Sequence, residues 1–513
     1  MEAISGKASQ AMSAGTWIGF CAMCLGMFMA VLDIQVVATS LPEIQGALAI
    51  EREQMSWVQT TYLIAEVVAI SLTAFLTRVL SMRGLFVAAI AIFTLASAGC
   101  AASFGFSSLI AWRAVQGFAG GALIPLVFSA VFLLFPFRAQ GVATTIAGVL
   151  AVLAPTCGPL VGGWITQTFS WHWLFLINIG PGVASALLAW FCLPRERTNL
   201  AWARGLDQIS LVAIVISLAC LELALKEAPQ RGWITAIPTG LLAIFVLSSV
   251  FFVRRILQRP RPFVDLRALY DRNFAVGCAL SFILGVGLFG SVYLIPVFLA
   301  FVRGLGPLAI GWILLATGAA QLLTAPVAVE IERRFDPRPL AFLGFALFAV
   351  GLGASADATN LTGGAEMFWP QVVRGCAIMF CLLPPTRLAL GHLELSRVSD
   401  ASALFNLMRN IGGAIGIALI DTVIYGRGPI VAEKLTSKIM AGDMDAAHAI
   451  GVSADLLRQA LVDERARNTI HTLIERQSLV ESSNEAWMML AIITATSLLF
   501  VPFFVPHKRA TTQ

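Results

Sequence analysis

Charge is scarce in this chain. Asp, Glu, Lys and Arg make up 12% of its 513 residues, about half the roughly 25% usual in soluble domains. With 58% hydrophobic residues and a mean hydropathy of +0.84, the shortage excludes a soluble globular domain and leaves a polytopic membrane protein. Histidine is sparse too, with five scattered copies that spell out no metal cluster. The apolar segments also lack a nucleophile beside a partner, so nothing points to an intramembrane enzyme. Nine cysteines, at 21, 24, 100, 157, 192, 220, 278, 376 and 381, all fall inside apolar runs and read as small hydrophobes rather than a disulfide framework. Cys21-x-x-Cys24 has redox or metal spacing, but no second pair or nearby His joins it. The formal charge of +5 implies no nucleic-acid partner, because in a membrane chain the placement of Lys and Arg matters more than their sum.

What is present is a series of long apolar runs. A span needs about 20 apolar residues, and fourteen segments qualify: 17–41, 57–77, 84–104, 108–134, 141–166, 173–193, 207–225, 233–253, 274–300, 307–329, 339–356, 367–390, 402–425 and 486–506. The short polar stretch before the first of them predicts a retained signal-anchor helix rather than a cleaved signal peptide. With a cytoplasmic N-terminus, the inner loops and tails hold roughly 20 Lys and Arg and the short outer loops about four, so both termini are expected inside. The region 427–485 is expected to be the one sizeable outer loop. In it Leu456, Leu457, Leu461, Ile470, Leu473 and Ile474 follow helical spacing, as in a helix over the outer mouth or a surface that docks another protein.

The chain also repeats itself. "WRAVQG" at 112–117 is matched by "PQVVRG" at 370–375, "GPLVGG" at 158–163 by "GGAIGI" at 412–417, and Pro42 by Pro296, at offsets of about 254 to 258. A common offset predicts two six-helix halves separated by two additional helices.

Ionisable residues inside spans cost roughly 2.5–3.5 kcal/mol each on insertion scales, so each calls for a function. Asp33, Glu66, Glu222, Arg113, Arg374, Arg409 and Asp421 are of this kind. At about 1.5 Å per residue, Asp33 lies roughly 12 Å, Glu66 roughly 14 Å and Arg113 roughly 8 Å below the outer ends of their spans, so the three can meet. Such a group serves either as a proton-coupling site or as an ion pair that joins helices. At the repeat offset Asp33 corresponds to Gly287, so proton handling is expected in the first half. Arg374 and Arg409 are expected to line a cavity or join helices in the second half. Glu222 and Asp421 lie near span ends, within reach of the outer interface. In span five, "LAPTCGPLVGGWI" places Pro155, Gly158, Pro159, Gly162 and Gly163 in one kinked, closely packed helix.

These motifs resemble the major facilitator superfamily, and within it the fourteen-span drug:proton antiporters of the EmrB type. The likeness covers nearly the whole chain. Its most specific element is the exporter pattern Gly-Pro-x-x-Gly-Gly, here Gly158, Pro159, Gly162 and Gly163. Next is Arg-x-x-Gln-Gly, here Arg113, Gln116 and Gly117, whose Arg the family associates with proton coupling. The first-span signature stands as Leu32, Asp33, Leu41 and Pro42, and "WHWLFLINIGPG" at 171–182 matches the start of span six. Two departures stand out. "AFLTRVLSMRG" at 74–84 has Ala74 for the first Gly of the loop motif, Arg78 where an Asp is expected and Ser81 for the later Gly, which puts the usual latch between helices in doubt. Ile34, Gln35, Val36 and Val37 replace the usual Thr-Ile-Val-Asn, a change expected to alter substrate choice.

The resemblance implies an all-α major facilitator fold: a first half at 1–200, two additional helices at 201–260 and a second half at 261–513. It implies proton-driven export of amphipathic small molecules across the inner membrane, with no cofactor beyond the proton gradient. Asp33, Glu66 and Arg113 would couple protons. Gln35, Gln116, Arg374 and Arg409 would line the substrate cavity or join helices, and the span-five Pro and Gly residues would serve packing and gating. Membrane lipid, a periplasmic adaptor and an outer-membrane channel are the implied partners. Export of a single endogenous metabolite, such as a siderophore, lipid or aromatic acid, is the alternative, and a non-transporting membrane sensor or an intramembrane enzyme is the remote one.

Overall fold

In hydrocarbon every backbone amide needs an internal partner, and an uninterrupted helix supplies it. A computed structural model describes residues 14–48, 57–196, 198–199, 207–259, 262–441, 443, 447, 450–453, 459 and 463–505, which fold into helices without a strand among them. Fourteen carry labels: α1 (Ala14–Thr39), α2 (Trp57–Leu80), α3 (Met82–Ala101), α4 (Phe106–Leu134), α5 (Phe137–Thr168), α6 (Ile179–Cys192), α7 (Gln208–Arg231), α8 (Ala236–Leu257), α9 (Arg272–Phe301), α10 (Pro307–Arg334), α11 (Pro337–Gly353), α12 (Gly364–Leu390), α13 (Leu395–Met440) and α14 (Glu464–Thr496). A short turn of helix, Trp173–Leu176, leads into α6 and completes its span. Thirteen of the spans among the described residues are long and apolar enough to cross a bilayer. The fourteenth, α11, has 17 residues and runs antiparallel to α12, with Gly344 against Phe380 and Gly351 against Arg374.

Local chemistry sets the helix starts. Asp271 accepts the Phe274 amide at 2.8 Å ahead of α9, Asp336 the Arg338 amide at 2.9 Å ahead of α11, and Asp463 the Arg465 amide at 3.0 Å ahead of α14. Pro307 and Pro337 sit in the first turn of their helices, where a missing N–H costs nothing. Between α2 and α3 the chain turns on Ser81, whose φ of 69° lies in the region that favours glycine. That explains why a Gly stands there in the related motif. Ser81 offsets part of the strain by accepting the Gly84 amide at 3.2 Å.

Helices α1 to α6 pack chiefly on one another, as do α9 to α14. The two bundles meet where α5 lies along α10 and where α13 crosses α2 and α4. The pair α7 and α8 sits outside, α7 against α13 and α2. Ile244, Val246, Leu247, Val250 and Phe251 of α8 face outward, as a lipid-facing helix requires. At the base of this pair Asp207 accepts Arg255 at 2.7 and 3.0 Å and Arg259 at 3.0 Å. The Arg255 guanidinium holds the Asp207 carboxyl well below the usual carboxylate range.

In the expected outer region 427–485 the described residues are helical at both ends. Helix α13 has 46 residues, about 69 Å at 1.5 Å per residue, against a hydrocarbon layer of about 30 Å. Helix α14 starts at Glu464 rather than near 486. The two run on as a hairpin beyond the bundle, joined by Arg427 donating to both Glu485 oxygens at 2.7 and 2.8 Å. Ile439, Ala447, Ile450, Val452, Ile470 and Ile474 form its own small core, with Leu473 against it. Of the residues expected to form a helix here, Leu456, Leu457 and Leu461 lie outside the described residues. Charge on the solvated faces lowered the hydropathy while the helices continued.

Candidate functional site

Close helix approach comes first. Gly117 of α4 rests on the backbone of Tyr62 and Gly121 on that of Glu66, so two glycines four apart bring α4 onto α2 along one seam. A side chain at either position would overlap α2 backbone. This approach, together with α1 and α6, encloses Arg113 completely, at 0% exposure, and Asp33 at 1%.

Arg113 Nη1 donates to Asp33 Oδ2 at 2.5 Å and to Gln116 Oε1 at 2.7 Å, and Nε donates to the Val58 carbonyl at 3.1 Å. The other oxygen of Asp33 accepts Gln116 Nε2 at 3.0 Å and Asn178 Nδ2 at 2.8 Å. Gln116 also donates to Ser97 at 2.9 Å. The guanidinium lies 4.3 Å from the Tyr62 ring centre and 5.9 Å from that of Phe175, and its Nη2 has no hydrogen-bond acceptor among the described residues. Tyr62 in turn donates to the Ala30 carbonyl at 3.0 Å. Five helices, α1, α2, α3, α4 and the start of α6, thus hold one buried ion pair whose charges are met mainly by side-chain amides, a backbone carbonyl and rings.

The expected meeting of Asp33 with Arg113 is therefore present, with Gln116 as a helix-joining member. Asn178, Ser97 and Tyr62 complete the network, and sequence reasoning did not single them out. Asn178 does lie inside the quoted stretch 171–182. Glu66, 4% exposed, is near rather than within the cluster. Its side chain makes no hydrogen bond among the described residues, and its electrostatic neighbours are Glu222 of α7 and Arg113. Glu222 was expected to reach the outer interface, yet it lies opposite Glu66 at the α2–α7 contact. Asp421 likewise turns inward, accepting the Tyr293 hydroxyl at 2.7 Å.

Helix α5 carries Pro155 and Pro159 in its interior and buries Gly158, Gly162 and Gly163. Gly158 rests on Gln35 of α1, two residues from Asp33, and Gly163 on Pro307 and Leu308 at the start of α10. Gly311 of α10 sits in return on Leu160. One helix is thus in backbone contact with the ion-pair helix on one side and with the second bundle on the other.

In the second bundle Arg409 is 6% exposed, donates to Asn406 and lies 5.1 Å from the Phe128 ring centre of α4. Arg374, 2% exposed, lies 5.2 Å from the Trp487 ring centre. Neither has a carboxylate partner among the described residues. Where the loop motif departs from its pattern, Arg78 of α2 is paired with Asp400 of α13. The pair joins the two bundles at the place of the loop motif, with the Arg on the first bundle.

Comparison with known proteins agrees with this architecture. Residues 23–417 match the model of the Major Facilitator Superfamily. The chain is 36% identical to the colistin resistance protein EmrB of Acinetobacter baumannii, across 96% of this chain and 97% of that one. It is 28% identical to the multidrug export protein EmrB of Escherichia coli K12, with 94% of each covered, and 29% identical to the fatty acid resistance protein FarB of Neisseria gonorrhoeae, with 93% and 92% covered. Among solved structures the proton:xylose symporter XylE aligns with a TM-score of 0.60 at 12% identity, covering 97% of both chains, a likeness of fold.

Proposed function

The chain belongs to the Major Facilitator Superfamily, and from that premise we propose that it is a proton-coupled exporter of amphipathic small molecules. Membership makes it a multi-pass membrane transporter; proton coupling, export, substrate class and the inner membrane as its site are our reading. One observation carries it: the fully enclosed Asp33–Arg113 pair, set among neutral donors in an apolar bundle. A proton reaching Asp33 discharges the carboxylate and leaves Arg113 with only the neutral acceptors Gln116 and the Val58 carbonyl. The guanidinium then needs another acceptor, and the junction of α1, α3, α4 and α6 loosens. Helix α5, in contact with α1 at Gln35 and with α10 at Gly163, passes that change to the second bundle. Alternating access between two bundles about a central site is the simplest motion this permits. Glu66, buried without a side-chain hydrogen bond among the described residues and next to Arg113, is the second candidate proton carrier.

The names of the relatives, multidrug export, colistin resistance and fatty acid resistance, support export of compounds with apolar bodies. A dedicated exporter of one metabolite would differ in moving a single compound from a mixed panel. The α13–α14 hairpin is our candidate contact for a periplasmic adaptor and, through it, an outer-membrane channel.

The test is efflux from proteoliposomes under an imposed pH gradient, with cationic, neutral and anionic amphipaths. Wild type is expected to move several of them, and Asp33→Asn to insert normally but lose gradient-driven efflux. Unchanged efflux by Asp33→Asn would overturn the assignment.

A further inference from the structure

Of the thirteen long spans, α8 is the least enclosed. Ile244, Leu247 and Phe251 follow one another at spacings of three and four along its open face, at 45, 71 and 49% exposure. Three residues further on the same stripe stands Arg254, also exposed. With 22 residues, α8 is about 33 Å long and just crosses a hydrocarbon layer of about 30 Å. Its last turn therefore delivers Arg254 to headgroup level, on the face expected to be cytoplasmic.

Two more guanidiniums gather at that end. Phe263 is buried, its ring centre 6.0 Å from that of Phe252 in α8 and 6.4 Å from that of Phe75 in α2, and so folds the chain after α8 back against it. In the following 3-10 turn, Leu266–Tyr270, Arg267 donates to the Leu257 carbonyl at 3.4 Å, one helical turn beyond Arg254. Arg259 meets Asp207 through Nε at 3.0 Å, while Arg255 already engages both oxygens of that carboxylate. Neither Arg254 nor Arg267 has a carboxylate partner among the described residues. The α10–α11 turn on the same face is built differently: Arg333 and Arg334 pair with Glu330, and Arg338 with Asp336. Beside the unmet guanidiniums, Leu269 and Tyr270 are 39 and 80% exposed, the kind of surface that sits at a membrane interface.

We propose that the inner end of α8 binds one anionic phospholipid, its phosphate held by Arg254, Arg259 and Arg267 and an acyl chain lying along Ile244, Leu247 and Phe251. Charge complementarity selects an anion, because guanidinium and phosphate pair in a planar, often bidentate contact. The apolar stripe that runs from those guanidiniums into the membrane selects a lipid over a free phosphate. A zwitterionic headgroup brings a cation to a place that already holds three. The bound lipid bridges α8 and the turn that leads into α9, and so steadies the outlying α7–α8 pair. This site does not depend on the transport reading.

The test is native mass spectrometry of the full chain, delipidated in detergent and titrated with phosphatidylglycerol, with phosphatidylcholine of the same acyl chains, or with inorganic phosphate. An arginine near an anionic membrane surface is worth about fivefold in binding. Phosphatidylglycerol is expected to bind at least tenfold more tightly than phosphatidylcholine, and to lose at least tenfold in the triple variant Arg254→Gln, Arg259→Gln, Arg267→Gln. The matched triple Arg333→Gln, Arg334→Gln, Arg338→Gln removes the same charge from the α10–α11 turn and is expected to stay within twofold of wild type. Equal binding of the two lipids overturns the proposal, and so does an equal loss in the matched triple, the mark of diffuse attraction without a site. Inorganic phosphate that displaces the lipid at equal concentration overturns the lipid as occupant. If the first triple does not purify as a folded protein, Arg254→Glu alone is expected to lose at least fivefold, and unchanged affinity in it also overturns the site. A dimer that forms in place of the lipid complex and is lost in Leu247→Arg shows a second copy on the stripe, and overturns the proposal as well.

Discussion

Arg78, near the end of α2, forms an ion pair with Asp400, in the second turn of α13, across the seam between the two bundles. Their separation of 322 residues makes it a tertiary fastening rather than a local contact. It lies on the face expected to be cytoplasmic, beside the tight α2–α3 turn at Ser81. Asp400 is 5% exposed and Arg78 26%, so solvent screens the pair in part and about 1 kcal/mol is a fair measure of its strength.

A fastening between moving bodies biases the exchange between conformations. Loss of about 1 kcal/mol shifts such an equilibrium roughly fivefold. Arg78→Asp and Asp400→Arg are each expected to lower transport by at least that factor, and the double exchange to restore most of it. Efflux rates of the three variants at equal insertion decide the matter, and a double variant worse than either single would count against a latch.

The Asp33–Arg113 pair has a different energetic signature because neither member reaches water. Removing one partner strands the other, at a cost of about 3–5 kcal/mol, while neutralising both leaves a set of hydrogen bonds among amides. Asp33→Asn and Arg113→Gln are each expected to lower thermal stability in detergent strongly. Asp33→Asn combined with Arg113→Gln is expected to be closer to wild type than the sum of the two. Strict additivity would show that the pair is not coupled in the folded protein.

Much of this was legible in the sequence because charges in apolar runs are rare and costly. Depth along antiparallel spans was enough to bring Asp33 to Arg113, and a shared offset was enough to relate Gly117 to Gly375. Asn178 and Ser97 escaped because a neutral polar residue carries little insertion cost and so gives no signal at its own position. Glu222 was misplaced because position along α7 says nothing about which helix lies beside it. The length of α13 escaped for the opposite reason: hydropathy follows lipid, and α13 continues as a helix after lipid ends. Arg78 looked like damage to a motif because its partner lies in the other bundle.

The α2–α4 seam makes a sharp packing prediction. A Cβ at Gly121 would meet the backbone of Glu66, which cannot rotate away as a side chain can. Gly121→Ala is expected to cost about 1–3 kcal/mol, as overpacking does. Gly240→Ala in α8 has open space around it and is expected to stay within about 0.5 kcal/mol. Thermal unfolding in one detergent compares them directly, and equal melting temperatures would mean that α4 can back away from α2 without loss.

The hairpin core separates folding of the extramembrane helices from transport. Ile474 is buried against the Ile439, Ile450 and Val452 cluster, which belongs to the hairpin and not to the bundle core. A carboxylate in that small apolar cluster would have no partner, and burying an unpaired charge is far costlier than letting two helices part. Ile474→Asp is therefore expected to open the hairpin and expose it to proteases. Efflux from proteoliposomes should remain within about twofold of wild type, since the variant leaves the buried pair and the bundle seams intact. If the hairpin contacts an adaptor, the same variant loses adaptor capture by the purified protein while keeping that efflux. Loss of both together would instead place the hairpin in the transport cycle, because α13 carries Asp400 at its base and a change at its far end would then reach the latch.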